Sequence, residues 1–579
     1  MKRSQSTILL LLVVGISAAC ARKAGTQNQV EAAGPNNQAS GSSQADQHLS
    51  SAGDATFRSW IDAGTLASLK WPNFSDYRAH VQHFYGPSNY ALAWIRNSQP
   101  TPQATEVIAV LQNADNKGLH AEDYDGSRWA ARVDKLRPAT SAPADIDLAE
   151  FDLALTVCLM RYISDLHIGR VNPHYFHFGF DIEHKKYDLP DLVREQVLTA
   201  TDITTALAHV EPPFPGYQRT QKALEIYRKL ASQDDGGALP VPAKPIPPGQ
   251  PYTGVPRLTR LLRLLGDLPA DAQVPPDSNI YSGPLVDAVK HFQQRHGLDT
   301  DGRINAATVQ QLNVPLSQRV HQLELTLERW RWVPHDFPRP PVVVNIPEFR
   351  VRGVNREGHV ELTMNVVVGR AYRSETPVFS DNMEYVIFRP YWNVTPSIQR
   401  SEMVPKLTKD RDYLAKHDLE AYNSKGEVVA SAHVSNEVLE QLRSGKLSIR
   451  QRPGPENALG PAKFIFPNQY NVYLHGSPAH ELFARSRRDF SHGCIRVEDP
   501  MTMALWVLQD QPDWTRQKIQ AAIDGTVPVQ VNLKQKIPVL IVYATAVVLE
   551  NGDVEFFDDI YGHDRDLEVV LAKGYPYPG

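Results

Sequence analysis

The chain has 579 residues, 42% hydrophobic and 22% charged, with a net charge of -5 from 60 Lys+Arg against 65 Asp+Glu. That length is too great for one core and implies roughly three or four domains, while the two fractions are those of an ordinary soluble globular protein. The near-balanced charge carries no basic footprint, so no nucleic acid is expected as a partner.

The chain opens MKRSQSTILLLLVVGISAAC. A basic start, the apolar run Ile8 to Ile16 and a tract of small residues make residues 1–20 a secretory signal peptide, too short to span a bilayer core of ~30 Å. The tract SAAC resembles a bacterial lipobox, which would put a lipid on Cys20 and anchor the chain to a membrane. It departs from that motif at Ser17, where Leu is usual, and cleavage without lipid is the alternative. Residues 21–53 are rich in Gly, Ser, Asn and Gln, cannot bury a core, and read as a flexible linker.

Residues 54–249 read as a mainly helical scaffold. In TEVIAVLQNADNKGLHAEDYD, Val107, Val110, Leu111 and Ala114 share one helix face and Gly118 supplies the stop. In AEFDLALTVCLMRYISDLHIGRVNP, Leu148, Phe151, Leu155, Cys158 and Tyr162 recur at spacings of 3, 4, 3 and 4, a single buried stripe. Cys158 is then a core thiol without chemistry, and no catalytic constellation stands out in this region. A Pro-rich linker follows at 237–256. Residues 250–315 then show a helical stripe (Leu285, Ala288, Val289, Phe292), a turn at Gly297, an acidic loop from Asp299 to Gly302, and a second helix with Thr308 and Leu312. With Gln293, Leu298 and Asp301, these positions resemble the small three-helix peptidoglycan-binding module of wall enzymes. A connecting helix is expected over 316–338.

From 339 to 579 the pattern becomes mainly β. The runs PPVVVNIPEFRVR, HVELTMNVVVGR, YVIFRPYWNV and YNVYLHGSP are Val-, Ile- and aromatic-rich and bounded by turn residues. Near the end, two strands are joined through Asn551-Gly552, a hairpin signal. Between YVIFRPYWNV and YNVYLHGSP, about 397–456, the sequence turns charged and helical; an insertion that interrupts a β domain is a candidate lid.

The chemistry gathers at SHGCIR, residues 491–496. Export favours disulfides, yet of three cysteines Cys20 belongs to the signal region and Cys158 to a core stripe, so Cys494 has no evident partner. A catalytic cysteine needs a base, because the thiolate is the nucleophile. His475, His480 and His492 are candidates. His475 ends a strand and can face a thiol on a neighbouring strand, whereas His492 at i−2 would be aimed elsewhere by an ordinary turn. Zinc is the rival reading, with the same three histidines and Cys494 as ligands. No CxxC or HxxxH spacing and no acidic ligand cluster supports it. A packing role for Cys494 is the third, set against its place in a tight polar turn.

His475, a gap of fifteen residues and then SHGCIR resemble the signature of the L,D-transpeptidase (YkuD-type) catalytic domain. GRAYRSETPVF (369–379), PYWNVTPSI (390–398) and QRPGPENALGPAKFIFPN (451–468) extend the match. The resemblance is closest to the large Gram-negative type: a scaffold domain, a peptidoglycan-binding module and a catalytic domain with a helical capping insertion, multi-domain α+β overall. It implies Cys494 as nucleophile, His475 as base, and the Gly476 carbonyl as the group that orients the ring. It implies an oxyanion site in the turn of Ser491, His492, Gly493 and Cys494 beside Tyr473, and a donor pocket lined by Trp392 and Tyr473. Arg496 would anchor a substrate carboxylate or brace the turn, and Gly454 and Gly460 would serve loop geometry. Arg452 and Asn457 match family positions without an evident role.

The implied reaction is formation of 3-3 cross-links in peptidoglycan, from a tetrapeptide donor stem to a diamino acid side-chain amine, with release of D-Ala. Donor and acceptor stem peptides are the implied partners and carbapenems the implied inhibitors, with no cofactor and no metal needed. The implied location is the periplasm of a Gram-negative bacterium, with Ala21 after a lipidated Cys20 pointing to the outer membrane. Two other readings remain: an L,D-carboxypeptidase or wall-protein-releasing hydrolase using the same site, and a non-catalytic peptidoglycan-binding scaffold.

Overall fold

The computed structural model describes residues 47–137 and 142–577. The signal peptide and Cys20 lie outside the described residues. The first helix, Ser51–Ala63, starts earlier than the 53/54 linker boundary, because Ser50 caps it by accepting from the Gly53 N–H at 3.3 Å. It ends at Gly64, whose φ of 64° suits a left-handed cap.

The scaffold is built round the helix Asp145–Ile168. Its sequence suggests a single buried stripe, but nearly every side chain from Leu148 to Ile163 is buried, because other elements surround it. Asp152 is fully buried there and accepts from the Tyr85 hydroxyl at 2.6 Å and the backbone N–H of Ala93 and Trp94 at 3.0 and 2.7 Å. Burial pushes its carboxyl up to about 6 against these donors. Cys158 is 1% exposed, and burial pushes its thiol far up, so it is inert. The helix expected through Ala114 instead closes at Gln112, and a separate 3-10 turn, Ala114–Lys117, runs into Gly118 with φ 68°.

Three helices, Val255–Leu265, Pro284–Gln294 and Ala306–Leu312, enclose the next small core. The buried Gln293 amide ties it together. Its NH2 donates to Asp301 (3.1 Å), the Arg303 carbonyl (3.0 Å) and Thr308 Oγ1 (3.1 Å), and its oxygen accepts from Gly302 N–H (2.8 Å). A buried amide with both ends satisfied fixes the loop between two helices. The helix Leu316–Trp330 then packs along Pro215–Gln233 and leads into the β domain.

That domain is a nine-stranded sheet. Its order is Asp489–Ser491, Val360–Gly369, Ile495–Val497, Leu474–His475, Ala462–Ile465, Phe379–Phe388, Val529–Val542, Val342–Asn345, Arg350–Val354. Arg350–Val354 also pairs with Val360–Gly369, so the sheet closes into a barrel and most of it has no free edge. Val344, Val366, Val368, Leu474 and Ile495 are among the fully buried residues of its core. Near the end of the chain, Ala546–Val548 and Val554–Phe556 form the hairpin that Asn551-Gly552 signals, Val548 facing Val554.

The insertion has a core and a sheet of its own, in the order Val428–Ala430, Leu419–Tyr422, Ser448–Gln451, Trp392–Asn393. It therefore begins before 397. Its entry strand pairs with its exit strand, Trp392 opposite Gln451 and Asn393 opposite Arg450. No helix among the described residues is long and apolar enough to cross a membrane.

Candidate active site

Two short parallel strands carry the chemistry. Leu474 pairs with Ile495 and His475 with Arg496, and the Ile495 N–H donates to the Tyr473 carbonyl at 3.1 Å. Side chains alternate along a strand. Leu474 and Ile495 fill the barrel core, so Tyr473, His475, Cys494 and Arg496 share the other face. The tilted rings of Tyr473 and His475 lie 5.6 Å apart between centroids. On the far side of the histidine, Lys463 is its antiparallel partner, which brings a cation to the same face.

The imidazole is steered by main chain. His475 Nδ1 lies 2.6 Å from the Gly476 carbonyl, so Nδ1–H donates and Nε2 is left as the basic nitrogen. Gly476 is positioned in turn by close backbone packing. At Gly460, φ is 62° and an added Cβ would stand 2.6 Å from Ser477 N and 2.7 Å from Gly476 C, so glycine is required. Burial, then Arg496, push His475 down to about 3, with the Gly476 carbonyl opposing them and Lys463 adding to them. The ring is therefore neutral at neutral pH, an unoccupied base.

Cys494 leaves a turn whose geometry is pinned from several sides. Gly493 has φ 113°. Ser491 Oγ accepts from the Gly493 N–H at 3.1 Å and donates to the Cys494 carbonyl at 2.6 Å. The fully buried Thr376 hydroxyl donates to the Gly493 carbonyl at 2.8 Å while accepting from the Gly369 N–H at 2.9 Å. The Arg370 N–H and the Ser374 hydroxyl both donate to the Ser491 carbonyl at 3.1 Å. The thiol itself is half-buried and donates weakly to the Asn471 carbonyl at 3.8 Å. Burial raises its pKa; the Tyr473 backbone and hydroxyl, then Arg496 and Lys463, pull it back.

The other candidate residues fall in different places. His492 is exposed and turns towards the insertion, its Nε2 2.6 Å from Glu402. Trp392 stands on the insertion's entry strand, half-buried against the insertion's own core. Arg496 is half-buried, its guanidinium with no hydrogen bond or ion pair among the described residues, and burial and then Arg370 lower its pKa. Asn457, whose role the sequence leaves open, fastens the root of the insertion. Its amide donates to the carbonyls of Pro390, Gln451 and Arg452, and its oxygen accepts from Leu459 N–H. Arg452 pairs with Asp418 at 2.9 Å, and Gly454 has open space where a side chain would go.

Among the described residues, His475, His480, His492 and Cys494 do not assemble as a donor set. The group of three whose ligand atoms do approach one another is His83, Asp188 and Asp191 on the scaffold. What the face offers chemically is a thiol, a neutral imidazole with one free nitrogen, a phenol and two cations.

Three family models match the chain. A "Scaffold domain" covers residues 79–224, a "Putative peptidoglycan binding domain" 252–312, and an "L,D-transpeptidase catalytic domain" (YkuD) 340–531. A protein of Haemophilus influenzae named "Putative L,D-transpeptidase" is 30% identical over 264 residues, 45% of this chain and 52% of that one. The chain thus spans about half the length of the curated relative it matches. Two solved L,D-transpeptidase structures also overlap it. One, residues 123–326 of the Xylanimonas cellulosilytica protein, is 14% identical and covers 52% of this chain and 100% of its own, with a TM-score of 0.16. The other, from Stackebrandtia nassauensis, is 12% identical and covers 53% and 96%, with a TM-score of 0.22. Overlaps that low bear no weight.

Proposed function

This chain carries a scaffold domain, a peptidoglycan-binding domain and a YkuD-type L,D-transpeptidase catalytic domain, and from that premise we propose that it forms 3-3 cross-links in peptidoglycan by cysteine acyl transfer. The observation that carries the reading is the shared face of Cys494 and His475, with His475 Nδ1 held by the Gly476 carbonyl so that Nε2 is the nitrogen free to take a proton.

The sulfur of Cys494 attacks the carbonyl of the diamino acid at position three of a tetrapeptide stem, and the thiol proton passes to His475 Nε2. Negative charge develops on the carbonyl oxygen, where N–H groups of the pinned turn, including that of Cys494, can meet it. The C–N bond to D-Ala then breaks, His475 returns its proton to the leaving amine, and a thioester joins the stem to Cys494. A side-chain amine of a neighbouring stem attacks the thioester and gives a proton to His475; the C–S bond breaks, and the departing sulfur takes that proton back as the free thiol. A neutral base suits both halves, since it must accept a proton in each. A backbone carbonyl is a sufficient third member, because a thiol needs less help than a serine hydroxyl. We place the reaction in the periplasm of a Gram-negative bacterium, with the chain anchored through Cys20 if that cysteine is lipidated.

The same thioester would be trapped by carbapenems. Incubation of the purified protein with meropenem should add one drug mass by intact mass spectrometry, and Cys494→Ala should show none. No adduct on the parent protein refutes the assignment. Wall material digested after incubation distinguishes the acceptors: cross-linked dimers support transfer to an amine, whereas free tripeptides would make the protein a carboxypeptidase.

A further inference from the structure

The cationic side chain on the strand next to His475 lies inside the matched stretch 451–468, where no role falls to it. Lys463 lies in Ala462–Ile465, between Ala462 and Phe464, which are both buried in the barrel, so it faces the opposite way. Its register partner is His475, and its ammonium stands 5.7 Å from the centre of the Tyr473 ring, on the face that carries Cys494. It is half-buried, yet among the described residues its ammonium makes no hydrogen bond and no ion pair. A cation withdrawn from water without an anion is costly, and proteins rarely keep one without a use. Burial lowers its pKa, and the charge of Cys494 is what works the other way.

We propose that Lys463 is a positioning residue for the nucleophile, its ammonium held over Tyr473 to stabilise the negative charge that the Cys494 sulfur acquires. This rests on Cys494 being the reactive group of the proposed function. The other groups that bear on the sulfur are Tyr473, Arg496 and the Asn471 carbonyl, with His475 on the same face of the neighbouring strand. His475 is neutral, so it supplies no positive charge to an ionised thiol at rest. Where the proton leaves to solvent, as in alkylation, the positive charge near the sulfur comes from Arg496 and Lys463. The bland alternative is that the lysine stem merely covers the Tyr473 ring.

The test is the pH dependence of alkylation at Cys494, read on the full chain by peptide mapping after timed iodoacetamide treatment. Mapping isolates Cys494 from buried Cys158. Lys463→Met keeps an apolar stem and removes the charge. It should move the alkylation midpoint up by about 0.5 to 1 pH unit, which is about three- to tenfold slower reaction at a fixed pH below both midpoints. Lys463→Arg should stay within about twofold of the parent. A Lys463→Met midpoint that coincides with the parent's, or an arginine variant that behaves like methionine, overturns the proposal. Lys463→Gln replaces the methionine variant if that one does not fold. Alkylation needs no wall substrate, so a shift without cross-linking would sink the proposed function and leave this inference standing, and cross-linking without a shift would do the reverse.

Discussion

Thr376 offers the sharpest test of how the Cys494 turn is held. Its hydroxyl sits at 0% exposure between two main-chain groups, donating to the Gly493 carbonyl at 2.8 Å and accepting from the Gly369 N–H at 2.9 Å. Valine has almost the same shape and neither hydrogen bond, so Thr376→Val opens no cavity but leaves a buried N–H and a buried C=O without partners. Each orphaned group costs ~1–3 kcal/mol, and the pair about 2–5 kcal/mol. For a catalytic domain of this size that is a fall in Tm on the order of 5–15 °C. Gly493 immediately precedes the nucleophile, so its peptide plane also sets where the Cys494 N–H points. Acylation by meropenem should therefore slow by at least an order of magnitude at temperatures where the variant is folded. Thr376→Ser, which keeps the hydroxyl, should recover most of the rate and lose stability only for the missing methyl. Urea unfolding and stopped-flow acylation read the two quantities. If Thr376→Val unfolds within 0.5 kcal/mol of the parent and acylates at the parental rate, the turn is held by something else.

Glu555 is 5% exposed and its Oε2 has no hydrogen-bond partner; burial, then the charge of Glu348, raise its carboxyl to about 7. A carboxyl raised on folding binds more protons in the native state, so its contribution is intact below the unfolded pKa and is lost as pH climbs through about 7. Glu555→Gln should accordingly be the more stable protein at pH 8, by roughly 2–3 kcal/mol, with the gap closing towards pH 5 in urea titrations; a gap that widens on acidification contradicts this. Glu402 and His492 join the insertion to the nucleophile's turn, with side chains 34% and 38% exposed. So exposed a pair is worth ~0–1 kcal/mol, so Glu402→Gln should hardly change stability but should speed hydrogen exchange in residues 399–409, as high salt should in the parent. Unchanged exchange in both cases would mean that the pair does not hold the insertion.

Sequence patterns reached far into this molecule where the information is local. The strand-end histidine, the Gly476 carbonyl next to it and the cysteine turn are each fixed by a few consecutive residues, and a short motif suffices to find them. The helix Asp145–Ile168 shows where such reading falls short: a stripe at spacings of three and four says one face is buried, but not that neighbours cover the rest. Lys463 escaped attention for a related reason. Its meaning lies in the register Lys463 opposite His475, and register between strands is set by pairing over distance, which periodicity within one strand does not contain. His492 and Glu402 are 90 positions apart. The insertion's true start escaped for the same reason, because Trp392–Asn393 looks like the end of a barrel strand until its partner Gln451 is known. The buried Thr376 hydroxyl could have been suspected from a threonine inside a polar, charged segment that otherwise reads as a loop.

Because the insertion's way in and its way out run side by side as a hydrogen-bonded ribbon, its attachment resembles a strip of sheet metal more than a pair of strings. Such a ribbon flexes readily across its flat faces and resists shearing or twisting within its plane. The flap should consequently swing about one axis, like a door, with Trp392 riding at the jamb and Asn457 as the screw that fixes the hinge plate. In the proposed reaction, an acceptor strand would then gain access along a single direction, which limits the orientations in which two stems can meet.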